Sequence, residues 1–205
     1  MREIKETTYK GTRILLGNKK RTVINNMINI LINEGFDEIM IPIIQYQELF
    51  KNKVGEENSM MMYNFKDLGN RDLCLAPEYT AVIQQLAKTT FRQEKDVKIF
   101  YIQECFRGER PQFLRYRQFT QLGVEIINPT KDYTDYLIDI AKELLPKQGI
   151  ICNSDATRGL DYYKGGKGFE FSCEELGGSK QICGGGSYDV GIGFAIGIDR
   201  IFNLY

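Results

Sequence analysis

Residues 105–125 read CFRGERPQFLRYRQFTQLGVE, and this stretch decides what kind of sheet the chain builds. It predicts two β-strands joined by an arginine-rich loop. In the second strand Phe119, Gln121, Gly123 and Glu125 fall on one side of a period-two ladder, and Thr120, Leu122, Val124 and Ile126 fall on the other. The second face is core. The first carries a ring, an amide, a bare backbone position and a carboxylate. A solvated strand would carry Lys, Glu and Thr without the intervening Phe and Gly, so this face reads as the floor of a pocket. Four arginines, Arg107, Arg110, Arg115 and Arg117, crowd the hairpin around it. That density of planar donors suits a polyphosphate, which a guanidinium grips bidentately where an ammonium offers a point charge.

Composition narrows the chemistry further. At 205 residues, with no Pro/Ser-rich linker, a single domain over residues 1–205 is expected. Lys+Arg and Asp+Glu are both 27, so no global basic field points to nucleic acid, and RNA binding would have to use local patches. No apolar run is long enough to span a bilayer, and the polar, charged residues 1–10 do not form a signal peptide, so a cytoplasmic location with no membrane partner is expected. The five cysteines are scattered and never spaced as CxxC, which argues against a disulfide framework and a zinc site. Histidine is absent altogether. The commonest general base, the Ser-His and Cys-His pairs and the commonest metal ligand are thereby removed, leaving positioning and electrostatics by Arg, Glu, Gln and Tyr.

Periodicity supplies the remaining elements. Val23, Ile24, Met27, Ile28, Leu31 and Ile32 predict an amphipathic helix over 19–34, closed by Gly35. A strand over 36–42 follows, then short strands at 61–65 and 72–75, and Pro77 opens a helix over 78–88. The hairpin strands span 97–107 and 117–127. Asp132 caps a third helix whose Leu137, Ile138, Ala141, Leu144 and Leu145 face inward. The last third predicts strands at 150–153, 169–173, 181–185 and 193–196, then a short helix from Gly197. Consecutive strands with tight loops indicate an α+β fold, an antiparallel-dominated sheet with helices packed on one side.

With these elements in place, the chain resembles the catalytic core of class II aminoacyl-tRNA synthetases, the histidyl-tRNA synthetase family in particular. KGTR (residues 10–13), the long helix and GFDEIMIP resemble the opening segment and motif 1, the element class II enzymes use to dimerise. FRGERPQFLRYRQF is similar to motif 2 and GFAIGIDR to motif 3. RGLDYY (158–163) and CGGGSYD (183–189) are similar to the two histidine-specific signatures. Five motifs in the family's order, across nearly the full length, are very hard to obtain by accident.

The resemblance implies a division of labour. Arg107 and Arg158 would hold the α-phosphate of ATP as the catalytic cations, Glu109 would face the adenine edge, Phe119 would stack on the purine, and Arg115 with Arg200 would grip the outer phosphates. Glu78, Thr80 and Gln121 would handle the ammonium and carboxylate of histidine, and Glu125, Tyr163 and Tyr188 would close around its imidazole. Magnesium would ride on the β- and γ-phosphates, with no protein side chain assigned as its ligand. Expected partners are histidine, ATP, tRNA(His) through its acceptor stem, and a second copy of the chain as a homodimer.

Some residues depart from the family pattern. Ile14 follows GTR where the family has Asp, Ala76 and Tyr79 stand in LAPEYTA where it has Arg and Gly, and Ser187 replaces an arginine in GGGSYD. Ala76 and Tyr79 are expected to alter a wall beside the ammonium site. The domain usually inserted between motifs 2 and 3 is expected to be reduced to the helix after Asp132, and the anticodon-binding domain is expected to be absent, with the sequence ending at Tyr205. Arg110 and Arg117 also fit a solvated or ion-paired loop edge, Tyr162 fits core, Asp161 fits an orienter of Arg158, and the glycines at 184–186 fit a strand bend. Three functions compete: histidine activation with transfer to tRNA; a non-catalytic histidine sensor like the synthetase-like regulatory subunit of ATP phosphoribosyltransferase; and adenylation with a different acceptor.

Overall fold

A computed structural model describes residues 4–6, 12–15, 19–50, 60–110, 114–147, 149–157, 163, 167–176, 180–202 and 204. The N-terminal part contains β1 (Ile4–Glu6), β2 (Arg13–Leu15), α1 (Lys19–Asn33), β3 (Asp37–Glu38) and β4 (Ile44–Tyr46). β5 (Asn64–Lys66), β6 (Asp72–Leu75) and α2 (Thr80–Lys88) lead into the hairpin of β7 (Val97–Phe106) and β8 (Gln118–Ile127). α3 (Thr134–Leu144), β9 (Ile150–Thr157), β10 (Lys167–Cys173), β11 (Gln181–Tyr188), β12 (Gly191–Gly197) and α4 (Ile198–Ile201) complete the order.

The main sheet has seven strands in the order β3-β7-β8-β12-β11-β10-β9, and every pairing in it is antiparallel except β3 with β7. Smaller sheets are formed by β4-β6-β5 and by β1-β2. This is the expected α+β class, with the hairpin second and third in the strand order: β7 and β8 pair continuously from Val97 opposite Ile127 to Phe106 opposite Gln118.

Alternation along β7 explains how the sheet is covered. Phe100 meets Leu122, Val124 and Ile126 of β8 on one face, where Met27 and Leu31 of α1 and Leu137, Ile138, Ala141 and Leu144 of α3 pack against them. Ile99, Tyr101 and Cys105 point the other way, under Ala81, Val82, Ile83 and Ala87 of α2. The expectation that all helices lie on one side is therefore corrected. β7 is apolar on both faces, and a strand of that kind needs cover on each. Because α2 covers the second face only over β7, the pocket-facing side of β8, β12 and β11 stays open beside it.

Local signals set the helix ends. Gly35 takes φ +79 after α1, and the Phe36 N–H returns to the Leu31 carbonyl at 3.0 Å, closing the helix as a left-handed cap. Asp132 accepts the Thr134 N–H at 2.8 Å at the start of α3. α2 begins two residues later than Pro77 suggested, because Glu78 stays outside the helix and accepts the N–H groups of Thr80 and Ala81 at 2.7 and 3.0 Å.

Other boundaries shift. The strand expected over 36–42 pairs only at Asp37–Glu38, although the Ile39 N–H still reaches the Phe100 carbonyl at 2.9 Å. The strand expected at 61–65 pairs at Asn64–Lys66 instead, and β9, β11 and β12 extend beyond their predicted limits. The glycines at 184–186 form no bend; they lie inside β11, paired with β12. β1, β2 and β4 carry no period-two signal of their own.

Glycine sets the spacing of the sheet at one place above all. Gly123 lies opposite Tyr101, and a Cβ there would overlap the fully buried Tyr101 ring. Gly123→Ala is expected to lower stability by about 1–3 kcal/mol through overpacking. Urea denaturation checks this, and an unchanged midpoint would show that the ring has room to move.

Candidate active site

The open face of the sheet is built row by row. Residues directly opposite each other in an antiparallel ladder share a face. Gly123 of β8 lies in line with Ala195 of β12 and Gly184 of β11, and the next row joins Glu125, Gly193 and Gly186. One row the other way, Gln121 meets Gly197. The floor is thus nearly bare on β11 and β12, and the polar side chains of β8 stand at its edge. Above it opens a cavity of about 450 Å³.

One end of this cavity is acidic and deeply buried. Glu125 is 2% exposed and accepts the Tyr188 hydroxyl at 2.8 Å. A Cβ at Gly193 would overlap its carboxylate, so glycine there is what admits it. Burial raises the Glu125 carboxyl from 4.5 to about 8, and the Glu78 charge adds to the rise against the opposing hydrogen bonds from Tyr188 and Thr80. Glu78 is also raised, chiefly by burial, with the Ala81 and Thr80 amides and Arg107 working the other way. Tyr163 pairs with Tyr188 through an isolated bridge and lines the same end.

Between the ends lies Gln121. The Cys105 thiol donates to its Oε1 at 2.9 Å, and burial pushes that thiol up so that it keeps its proton. Gln121 lines the cavity.

Guanidiniums line the rest of the cavity. Arg107 lies with its guanidinium 5.3 Å from the centre of the Phe119 ring, its Nε donates to the Pro77 carbonyl at 2.9 Å, and its charge is close enough to Glu78 to act on that carboxyl. Arg115 approaches Glu109 at 3.6 Å. Arg200, on α4, is half-buried, and burial followed by the Arg115 charge lowers its affinity for its proton. Two guanidiniums that feel each other beside one carboxylate make a place for a multiply charged anion.

The cavity therefore brings together Glu78, Thr80, Arg107, Glu109, Arg115 and Phe119 with Gln121, Glu125, Tyr163, Tyr188 and Arg200. Arg158, with its neighbours in RGLDYY up to Tyr162, lies outside the described residues. Arg117 fits the loop-edge alternative, exposed with its Nε on the Glu109 carbonyl at 3.2 Å.

Two of the departures act elsewhere than expected. Tyr79 and Ala76 are fully buried and do not line the cavity; the Tyr79 hydroxyl donates to the Glu104 carbonyl at 2.8 Å and its ring tilts against Tyr101 at 5.3 Å. Ser187 lines a separate cleft with Lys95, Lys131 and Asp189.

Thr157, Glu170, Gln181 and Asp199 also line the cavity and were not anticipated. Glu170 was legible in principle, since it alternates with Phe169 and Phe171, both buried on the opposite face. Among the described residues no cluster of three or more potential metal-ligating side chains occurs. No described helix is long and apolar enough to cross a membrane.

Comparison with known proteins places this geometry. A family model described as Histidyl-tRNA synthetase matches residues 17–131. A histidine–tRNA ligase of Methanosarcina acetivorans is 40% identical over 146 residues, covering 69% of this chain and 35% of that protein. The chain thus matches about a third of that relative's length. Among solved structures, apo histidyl-tRNA synthetase of S. aureus superposes with a TM-score of 0.73 at 24% identity, covering 91% of this chain and 65% of that one. A protein titled ATP phosphoribosyltransferase regulatory subunit/histidyl-tRNA synthetase from Bacillus halodurans gives 0.72 at 15% identity, covering 91% and 78%. At those identities the two structures speak for the fold, which is of the class II synthetase type.

The raised Glu125 carboxyl has a consequence for the empty protein. Between about pH 4.5 and pH 8 the folded chain keeps a proton that the unfolded chain has released, so stability falls as pH rises through that window. Glu78 acts in the same direction. Glu125→Gln is expected to flatten this fall, as read from thermal melting midpoints at intervals from pH 5 to pH 8; a wild-type midpoint that rises with pH would contradict the burial argument.

Proposed function

This chain belongs to the histidyl-tRNA synthetase family, and from that premise we propose that it activates histidine with ATP to give histidyl-adenylate and transfers the histidyl group to tRNA(His). The observation that carries the proposal is one cavity lined both by a buried carboxyl, Glu125, and by the guanidinium-bearing Arg107, Arg115 and Arg200. We take residues 1–205 as one catalytic domain working in the cytoplasm.

Histidine lies at the acidic end. Its imidazole N–H is accepted by Glu125, whose position is fixed by Tyr188, with Tyr163 alongside; a side chain lacking that donor would leave the carboxyl buried and unpaired. The ammonium is held by Glu78 and Thr80, and the carboxylate by the Gln121 amide. ATP occupies the basic end, with its purine on Phe119 and its amino edge toward Glu109. Arg115 and Arg200 hold the outer phosphates, and Arg107 with Arg158 holds the α-phosphate.

A histidine carboxylate oxygen then attacks the α-phosphorus. The new O–P bond forms as the bond to the bridging oxygen breaks, and pyrophosphate leaves with the electron pair. No protein nucleophile or base takes part. The chain aligns two anions and neutralises the charge that accumulates between them. The sparse acidic groups at the phosphate end, Glu109 foremost, fit a magnesium ion carried mainly by the β- and γ-phosphates, where it would supply further charge neutralisation.

The fold shared with the Bacillus halodurans protein favours one further reading, a histidine-binding regulatory subunit without catalysis. ATP–pyrophosphate exchange tested with each of the twenty amino acids separates the two. Exchange is expected with histidine alone. Arg107→Ala should lower the rate by about 3–4 kcal/mol of barrier, as loss of one preorganised donor does, and Glu125→Ala should abolish histidine-dependent exchange. Histidine binding without exchange would favour the regulatory reading, and exchange without charging of tRNA(His) would point to another acceptor.

We also propose a homodimer. Met40 and Leu68 are fully exposed, and Ile44 and Tyr46 are half-exposed on β4, an edge strand beside an apolar groove under α2. Sedimentation velocity is expected to give a dimer that Ile44→Asp converts to monomer. A concentration-independent monomer for the wild type would refute it.

A further inference from the structure

Lys20 lies in the first turn of α1, outside the cavity lining, yet it reaches two residues that border the cavity. Its Nζ is 3.2 Å from Asp199 Oδ1 and 3.5 Å from Thr120 Oγ1, and it sits 5.3 Å from the centre of the Phe202 ring. Asp199 is 1% exposed, and its Oδ2 accepts the Thr120 N–H at 2.5 Å. The Thr120 hydroxyl in turn donates to Glu104 Oε1 at 2.8 Å. Asp199 immediately precedes Arg200, and Thr120 lies between Phe119 and Gln121. One ammonium group thus ties α1 to the strand that carries the expected purine platform and to the helix that carries the expected outer-phosphate arginine.

We propose that Lys20 is a positioning residue for the nucleotide: by holding the Asp199 carboxylate, it keeps Arg200 turned to phosphate and Phe119 at the matching height. The inference deepens the functional reading above and rests on it. Its physical basis is the cost of an uncompensated buried charge. Without Lys20 the buried Asp199 carboxylate loses its ammonium partner, and the junction it makes with β8 through the Thr120 N–H, which sets the backbone beneath Arg200 and Phe119, loosens. Lys20 itself touches neither substrate.

The test is direct binding of ATP and of histidine, measured by calorimetry, alongside pyrophosphate exchange. Lys20→Met is expected to weaken ATP binding on the order of tenfold, the scale of a small misplacement of a positioned group, while histidine affinity stays unchanged. Lys20→Arg should restore most of the loss. The double variant Lys20→Met/Asp199→Asn, which removes the uncompensated buried charge while keeping an acceptor for the Thr120 N–H, should bind ATP more tightly than Lys20→Met alone and guards against a single variant that folds poorly.

Equal ATP affinity in Lys20→Met and wild type would overturn the positioning role and leave the functional reading intact. So would parallel loss of ATP and histidine binding, with a lowered melting temperature, that neither other variant relieves. Wild-type protein that binds histidine but no ATP would overturn both the activation reading and this role.

Discussion

A carboxylate can lie against a β-sheet floor only where the neighbouring strand offers no Cβ, and Gly193 leaves that gap beside Glu125. The rest of the cavity is arranged around this vacancy. Gly186 continues the bare row, and in the next row Gly123 makes the same allowance for the Tyr101 ring. Tyr188 lies across a third glycine, Gly191, which brings its hydroxyl to Glu125. Three large side chains are therefore each seated over a glycine of an adjacent strand. The fit is tight in the way protein interiors are tight, so the position of the acidic group is set by backbone spacing more than by its own rotamers.

Holding Glu125 there opposes folding unless its proton stays on. Its raised affinity for a proton expresses that cost, and the Tyr188 hydroxyl recovers part of it. Glu78 is handled differently. It spends its oxygens on the free amides at the start of α2, where the helix dipole also favours negative charge. Two buried carboxylates facing one cavity thus have unlike supports. One is fixed by a helix end, and the other by the sheet and a phenol, which keeps their positions independent of each other.

The hairpin and its pocket-facing register were legible because alternation in β8 is regular from Gln121 onward: Leu122, Val124 and Ile126 are fully buried in the main core, while Phe119, Gln121 and Glu125 line the cavity, and only Thr120, expected on the core face, borders the cavity as well. Gly35 and Asp132 were legible as helix ends because their local chemistry acts alone. What escaped was set by distant partners. β4 pairs because β6 is beside it, with its own residues half-exposed and uninformative. Lys20 and Asp199 are 179 positions apart and look like ordinary helix-end charges until the fold joins them. Tyr79 misled for a related reason. Its neighbours Glu78 and Thr80 line the cavity, but the turn before α2 sends the intervening side chain downward, where a tyrosine fills space against Tyr101 and a glycine would leave a void.

The two ends of the cavity also account for how a chain with zero formal charge and no histidine could orient a zwitterion against a polyanion. Arg115 and Arg200 act on each other beside Glu109, Glu78 acts on Glu125, and Arg107, which acts on Glu78, stands between the two groups. A nucleotide is drawn to Arg115 and Arg200 and gains nothing from a Glu125 that keeps its proton. An amino acid with a cationic or N–H-rich side chain enters with its ammonium and ring toward the carboxyls, which leaves its carboxylate facing the guanidiniums. In the proposed reaction that carboxylate is the nucleophile and the α-phosphorus lies between it and the arginines. The reversed pose would set the ammonium against guanidiniums and bury the carboxylate beside a Glu125 that keeps its proton, so the anion would give up its cationic partners. Orientation thus follows from where the ionic groups stand around the cavity, Glu125 from β8, Glu78 from the start of α2, Arg200 from α4 and Arg107 and Arg115 from the loop of the hairpin. The absence of a net charge is no obstacle to such an effect, because what acts on the substrates is the local ordering of ionic groups and not their sum.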